Sequence, residues 1–392
     1  MLDQNTIDII KATAPVVAPK ADEITSCFYP LMFERYPEVI PYFNQTHQSK
    51  GSQPKALANA VVAYALHIEN LGALDGAVKQ IIQKHCSLGI QPDHYNIVGE
   101  CLLAAIKEVL GDVASDDIIE AWGKAYGQLA GILIDAEEGL YAAGASKEGG
   151  WRGLREFIIK DKVRESDIIT SFYLTPKDGG AVPAFEPGQF IAALFNIDGQ
   201  HVRRNYSLSD APGKNYLRIS VKREEHGLVS NHLHNNLNQG DSIALMPPFG
   251  EFTLRKNDKP LVLVTGGVGI TPAISMLNTE AATGREIHFI HAALNRNTHA
   301  FREHVQNTAA EHTNVKPIFV YNEPTATCAP HAKGFITKEM LEAQIPSDRD
   351  VEFYFLGPKP FMQSALKIAK ELNIPESQIH YEFFGPAEDL AA

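Results

Sequence analysis

The hydrophobic period of the chain changes near residue 150, and that change limits what the chain can fold into. Before it, apolar residues recur three and four apart in Thr6–Val17, Ala21–Arg35, Pro54–Asn70, Leu74–His85, Tyr95–Leu110 and Asp116–Tyr141, and no strand pattern of any length interrupts them. After it, short alternating runs appear at Glu156–Lys160, Ile168–Leu174, Phe190–Phe195, Asn205–Leu208, Leu217–Lys222 and Ser242–Leu245. One core cannot serve both periods, and 392 residues are long enough for two or three domains. The composition, 44% apolar and 21% charged, is that of a folded chain. A formal net charge of -12 disfavours nucleic acid as a partner, because a phosphate backbone wants a basic face.

The helical third breaks at Tyr36-Pro37, Gly51-Ser52, Gly89–Pro92 and Gly111–Ser115, where Ser115 or Asp116 can cap the following helix. Six or more helices of unequal length do not make a simple bundle, and the count suits a globin-like arrangement. A histidine in such a domain can be a ligand to a cofactor held between helices or merely a polar residue at a helix end. Of the fifteen histidines His85 stands out by position, at the end of a helix whose apolar face carries Ala77, Val78, Ile81 and Ile82, while His67 has a comparable amphipathic setting, so periodicity favours His85 only weakly. The four cysteines, Cys27, Cys86, Cys101 and Cys328, include no Cys-x-x-Cys pair, which disfavours a zinc or iron–sulfur site built of thiolates.

The strand region carries turn signals at Asp178-Gly179-Gly180, Pro187-Gly188, Pro212-Gly213 and Gly240-Asp241, so its six short strands predict a small closed antiparallel barrel. Within it, Arg204-Asn205-Tyr206-Ser207-Leu208-Ser209 sends Arg204, Tyr206 and Leu208 to one face and Ser207 and Ser209 to the other. An arginine fork beside hydroxyls and backbone N–H groups suits a pyrophosphate, and the tyrosine suits a planar ring; the same residues also make an ordinary edge strand. Gly227-Leu228-Val229-Ser230-Asn231 precedes a helix, with Ser230 as a natural N-cap and a helix start that can hold diphosphate.

From residue 258 the buried run Leu261–Val264 meets Gly266-Gly267-Val268-Gly269-Ile270-Thr271-Pro272 and a helical segment. Strand, glycine turn and helix start form an anion-binding place for a dinucleotide. Pro272 replaces the usual third glycine, at a position inside a helix start where its missing N–H is not needed. Strand runs at Ile287–Ala292, Pro317–Val320 and Val351–Leu356 alternate with helices, which predicts an α/β domain with a mostly parallel sheet.

These segments carry a resemblance that spans essentially the whole chain. The Arg-x-Tyr-Ser strand, the Pro187-Gly188-Gln189-Phe190 and Pro247–Phe252 segments, the glycine turn and Leu356-Gly357-Pro358 resemble the ferredoxin-reductase superfamily. Phe28-Tyr29, Pro37, Phe43-Asn44, Gln53, Leu57, Lys84-His85, Tyr95–Gly99, Ala121–Tyr126 and Glu137 are similar to the globin part of flavohaemoglobins. The resemblance implies a globin (haem) domain at 1–140, a linker at 141–151, an FAD-binding β-barrel domain at 152–257 and an NAD(P)-binding α/β domain at 258–392.

It further implies a role for each matching residue. His85 is the iron ligand of haem b, Glu137 rather than Glu138 accepts from its far nitrogen, and Tyr95 holds Glu137 in place. Tyr29 and Gln53 are the distal hydrogen-bond donors, Phe43 and Leu57 the walls, and Lys84 has an interdomain and redox role. Arg204, Asn205, Tyr206, Ser207, Ser209, Phe190, Gly227, Val229 and Ser230 hold FAD. Gly267, Val268, Gly269, Ile270, Thr271, Pro272, Gly357 and Pro358 form the nicotinamide side. In the tail, Phe384 covers the flavin, with Phe383, Gly385 and Pro386 beside it, and Glu382 helps the electron path. Cysteine is common in relatives where this chain has Leu356 and Phe383.

The activity so implied is that of a nitric oxide dioxygenase, which turns NO and O2 into nitrate with electrons passed from NAD(P)H through FAD to haem. A haem-based O2 or NO binder or sensor, whose reductase only keeps iron ferrous, is the alternative. No acidic residue closes the second strand of the nucleotide domain and Arg296 lies beside it, so NADH is expected with NADPH possible. The expected partners are the small molecules NO, O2 and NAD(P)H, with no nucleic acid and no membrane span. The expected state is a monomer. Met1 to Thr13 carries acids and amides where a signal peptide would carry a basic run and an apolar core, so a cytoplasmic place is expected.

Overall fold

In the computed structural model, residues 2–43, 52–326 and 328–384 are described, the side chains of 52–56 excepted. They form, in the main, two compact units that part between Ala145 and Ser146.

The first unit is helical: α1 (Gln4–Val17), α2 (Ala21–Arg35), α3 (Ser52–Leu66), α4 (Asp75–Leu88), α5 (Pro92–Leu110) and α6 (Asp116–Ala145). Each boundary has a local cause. The Asp3 carboxylate accepts from the Thr6 N–H at 2.8 Å and caps α1. Gly89 at φ 77° closes α4 in the left-handed conformation that glycine adopts without strain. Pro92, expected in a break, stands in the first turn of α5, where its absent N–H costs nothing. The last helix runs to Ala145, so residues 141–145 of the expected linker are helical. Ile10, Phe28, Met32, Cys101, Ile106 and Trp122 bring α1, α2, α5 and α6 into one core.

The second unit carries two six-stranded sheets. The strands of the first are β1 (Arg155–Arg164), β2 (Ile169–Pro176), β3 (Phe190–Ile197), β4 (Gln200–Ser207), β5 (Leu217–Lys222) and β6 (Ser242–Leu245). Their order is β4-β3-β6-β1-β2-β5. The two edges meet where Leu208 bridges Ile219 and the Ser209 N–H donates to the Arg218 carbonyl at 2.9 Å, so the sheet curls back on itself as the barrel reading expects. The helix α7 (Leu228–Asn235) follows β5.

The second sheet has β7 (Leu261–Gly266), β8 (Ile287–Ala293), β9 (Val315–Tyr321), β10 (Ala332–Lys333), β11 (Glu352–Leu356) and β12 (Ile379–Tyr381), in the order β10-β9-β8-β7-β11-β12. Every pair is parallel. Both faces of β7 are buried. Leu261 and Leu263 enter one core with Ile270, Ile274 and Phe289, and Val262 and Val264 enter another with Phe353 and Met362. The strand order reverses at β7, with β8 and β9 on one side and β11 on the other, and a topological switch of this kind is where open α/β sheets bind ligands, at the carboxyl ends of the strands. The helices α8 (Ile270–Glu280), α9 (Arg302–Glu311), α10 (Lys338–Glu342) and α11 (Lys359–Glu371) alternate with these strands. Among the described residues no helix is long and apolar enough to cross a membrane.

Candidate functional site

Three groups of side chains, one in the helical unit and two in the second unit, gather nearly all the expected residues. In the helical unit the carboxyl end of α4 presents His85, whose Nδ1 lies 2.8 Å from Glu137 Oε1 and 2.9 Å from Tyr95 Oη. The Tyr95 hydroxyl donates to the same Glu137 oxygen at 2.5 Å. With that hydrogen directed to the carboxylate, the proton of the imidazole must sit on Nδ1 and face Glu137. Nε2 is left with its lone pair and meets no hydrogen-bonding partner among the described residues. An imidazole locked in this tautomer by a buried carboxylate is a strong ligand for haem iron, so the residues fit the group. Burial, and next the bond to Glu137, push the Tyr95 phenol far above its usual range, which keeps its proton in place.

The competing candidates are separated by exposure. His67 lies exposed past the end of α3, and Glu138 is exposed while Glu137 is 3% exposed. Tyr126 holds Tyr95 in turn. The Tyr95 carbonyl accepts from the Tyr126 hydroxyl at 2.7 Å. The Tyr126 ring lies where a Cβ on Gly99 would stand 2.6 Å away, so only glycine fits at 99. Lys84, next to the imidazole, is exposed.

Tyr29 is buried in an aromatic cluster. Its ring centroid lies 4.8 Å from Phe28, 5.9 Å from Phe33 and 5.8 Å from Phe43. Leu57 packs on the same core. Phe33 is the member that the sequence reading missed, although its spacing of four from Tyr29 on α2 was the available signal. Asn44 and the side chain of Gln53 lie outside the described residues.

The second group lines the end of β4. Arg204, Asn205 and Tyr206 are half-buried. Burial lowers the Arg204 guanidinium from its usual range, a cost that a phosphate would relieve. Ser207 Oγ is buried and has no hydrogen-bond partner among the described residues, which fits a hydroxyl that bonds a polar ring edge. Phe190 is pinned by its N–H to the Phe249 carbonyl at 2.9 Å. Gly188, at φ 105°, allows close approach, since a Cβ there would lie 1.8 Å from the Phe252 carbonyl oxygen.

Two expectations in this group are corrected. Ser209 is fully buried and its hydroxyl is held by the Arg218 carbonyl at 3.2 Å and Ser220 Oγ at 2.7 Å, so it braces the barrel and has no face toward a cofactor. Ser230 is not an N-cap: Gly227 holds that place, and Ser230 Oγ accepts from the Glu224 N–H at 3.1 Å and donates to the Gly227 carbonyl at 3.3 Å. Val229 is buried beside it.

The third group sits at the carboxyl end of β7. Gly267 turns at φ 55° with open space where a Cβ would be. A Cβ on Gly269 would stand 2.4 Å from the Leu356 carbonyl oxygen and 2.8 Å from the Gly357 nitrogen, so this turn and the second loop are in backbone contact. The Thr271 hydroxyl donates to the Val268 carbonyl at 3.0 Å, while Ile270 and Pro272 are buried in the first turn of α8. Pro358 leads into α11, and a Cβ on Gly357 would lie 2.5 Å from the Phe361 ring. N–H groups aimed out of a helix start at a topological switch fit a dinucleotide pyrophosphate. In the tail, Phe383 packs against the sheet core, Glu382 is half-buried and Phe384 is exposed. Gly385 and Pro386 lie outside the described residues.

A globin-like unit with an iron-ready histidine, joined in one chain to a flavin barrel and a nicotinamide sheet, defines a haem- and flavin-dependent oxidoreductase. Family models agree in the same order: Globin over residues 26–133, Oxidoreductase FAD-binding domain over 156–254 and Oxidoreductase NAD-binding domain over 263–367. Flavohemoproteins of Burkholderia sp. (strain TH2) and Pseudomonas putida are 51% and 52% identical over 392 residues, with 100% of both chains covered in each case. The flavohemoglobin of Malassezia yamatoensis, solved with bound FAD and heme, superposes with a TM-score of 0.86 at 27% identity, over 98% of this chain and 100% of its own. The FAD/NAD binding domain of the nitric oxide dioxygenase of Vibrio cholerae O1 biovar El Tor matches at a TM-score of 0.55 and 35% identity, over 59% of this chain and 99% of its own. The chain belongs to the flavohemoprotein family. Its cofactors are haem, FAD and NAD.

Proposed function

We propose that this protein is an NAD(P)H-dependent nitric oxide dioxygenase that removes NO by converting it, with O2, to nitrate. The observation that carries the reading is the buried Tyr95–Glu137–His85 hydrogen-bond set, in the same chain as a complete flavin and nicotinamide apparatus. When bound, FAD accepts a hydride as an electron pair and passes electrons on singly, and haem b presents iron to the diatomic substrates.

The chain's own residues do the rest. Glu137, fixed by Tyr95, accepts the Nδ1 proton of His85 and makes Nε2 a stronger donor, which favours oxidation chemistry over simple carriage of oxygen. Tyr29 offers a phenolic O–H to the oxygen substrate, and Phe28, Phe33 and Phe43 keep water from competing for it. Arg204 and the Tyr206–Ser207 strand hold FAD, and the Gly267–Pro272 turn with Gly357-Pro358 holds the nucleotide. Gln53, Lys84, Glu382 and Phe384 are assigned the distal-donor, electron-path and flavin-covering roles set out above.

We take the protein to act as a monomer on NO, O2 and NAD(P)H, with NADH preferred. Arg296, the cation beside the second strand's end, lies 3.7 Å from Glu303 in an exposed pair, which leaves it able to meet a 2′-phosphate, so NADPH use is also expected. All four cysteines are free, which supports a cytoplasmic, reducing compartment. The test is an absorption record of the loaded protein under air with NADH and then NO. Repeated consumption of NO with nitrate formed supports the dioxygenase; a single turnover per haem would make the protein a binder or sensor.

A further inference from the structure

One buried polar chain belongs to none of the three groups. Asp210 directly follows the flavin strand segment, at the point where the barrel edges meet. Its carboxylate lies 3.4 Å from Arg218 Nη1 of β5, and the two side chains are 10% and 7% exposed. Arg218 also donates to the Ser209 carbonyl through Nε, at 3.1 Å, and through Nη2. The Tyr216 hydroxyl donates to Asp210 Oδ2 at 2.8 Å. Burial alone would raise the Asp210 carboxyl, yet Arg218, Asn278 and Tyr216 together hold it below its usual range, so it is an anion in place.

The other half of the chain comes from the nucleotide sheet. Asn278 Nδ2 donates to Asp210 Oδ1 at 2.7 Å, and the Ser275 hydroxyl donates to the Asp210 backbone carbonyl at 2.7 Å. Both residues lie on α8, three apart and therefore on one face. The amide of Asn278 is oriented from its far side: Oδ1 stands 2.6 Å from His304 Nε2, on α9, which must donate because the amide nitrogen already faces the carboxylate. Phe301, just before α9, lies under the Arg218 guanidinium at 5.1 Å.

Asp210 is three residues from Ser207, and α8 begins with the glycine turn of the nucleotide site. One carboxylate thus ties the strand that holds the flavin to the helix that holds the nicotinamide nucleotide. A surface pair would contribute little to such a join, but a desolvated, fully paired set fixes distance and angle. We propose that Asp210, held by Arg218 and read by Asn278 and Ser275, is a positioning residue for hydride transfer that sets nicotinamide against flavin. The inference rests on the reductase half of the function proposed above. Hydride transfer demands such control, because a 1 Å misplacement costs about a hundredfold in rate.

The experiment uses the full-length protein with haem and FAD bound and compares Asn278→Ala and Ser275→Ala with the unsubstituted chain. Anaerobic mixing with NADH and with 4-deuterated NADH reads the hydride step alone. The expected result is flavin bleaching slowed about tenfold or more in Asn278→Ala, with a larger isotope effect and a smaller loss in Ser275→Ala. Flavin content and NAD+ affinity stay within about twofold. A readout independent of turnover is the long-wavelength charge-transfer absorbance of reduced protein with NAD+, which requires ring overlap and weakens in both variants. Bleaching and charge-transfer absorbance equal to those of the unsubstituted protein overturn the proposal, as does a slowing matched by weaker NAD+ binding or by flavin loss. If the unsubstituted protein is not bleached by NADH, it is the reductase reading that fails.

Discussion

Glu137 holds two partners on one oxygen, the His85 ring and the Tyr95 hydroxyl, and is 3% exposed. Such a carboxylate does more than orient a ring: its charge adds to the donor strength of the imidazole. Glu137→Gln keeps the shape and removes the charge. The haem midpoint potential should rise by about 60 mV or more, a tenfold change in a one-electron equilibrium. Spectroelectrochemistry reads this directly, and an unmoved potential would reduce Glu137 to a packing role. Tyr29→Phe tests the opposite side. The phenyl ring keeps the contacts with Phe28, Phe33 and Phe43 but loses the O–H. A hydrogen bond to a partly charged acceptor contributes about 1.5–3 kcal/mol, so oxygen release should be about ten- to a hundredfold faster and NO turnover slower. Stopped-flow oxygen release checks it, and an unchanged rate would remove Tyr29 from the distal role.

The elements divide by how local their causes are. Helices, strands and the glycine turn were legible, because period, caps and turn residues act within a few positions: α2 and β5 fall where the pattern places them. Pattern alone favoured His85 over His67 only weakly, since both helices are amphipathic; what sets His85 apart in the structure is its bond to the buried Glu137, fifty-two residues away in the chain. Ser209 and Ser230 look like ligands in a motif, yet chain-distant or loop groups take their hydroxyls. The Asp210 network was invisible for the same reason, as its partners lie eight and sixty-eight residues away. The contact between the Gly269 turn and Leu356-Gly357 is another such feature, and it yields a prediction. Gly269→Ala puts a Cβ 2.4 Å from a backbone oxygen that no side-chain rotation can move aside, so the two nucleotide loops must part. KM for NADH should rise about tenfold, equivalent to roughly 1.4 kcal/mol, with FAD content unchanged. Steady-state kinetics with a flavin assay checks it, and loss of FAD instead would mean that the clash propagates to the barrel.

For the whole molecule the electron count is the strictest constraint. Each NADH surrenders two electrons with its hydride, whereas NO plus O2 takes up one electron to become nitrate. One NADH with two NO and two O2 therefore gives two nitrate, one NAD+ and one proton, and the halves of the chain are matched only if the flavin side doles out its pair one at a time. This fixes a ratio that depends on both units. With NO held in slow steady supply, nitrate formed should be about twice the NADH consumed, because no other product of the proposed reaction takes electrons. An oxygen binder or sensor whose reductase merely restores ferrous iron gives a different balance: NADH falls after each oxidation while nitrate stops at the amount of haem present. Uncoupled flavin oxidation shows a third pattern, with NADH consumed at an equal rate whether or not NO is supplied. Simultaneous NADH absorbance and nitrate assay on the intact chain separates the three. A ratio near two ties Tyr29 and the Glu137-backed histidine to the same turnover as the flavin strand and the Gly267–Pro272 turn; a ratio well below one would sever them.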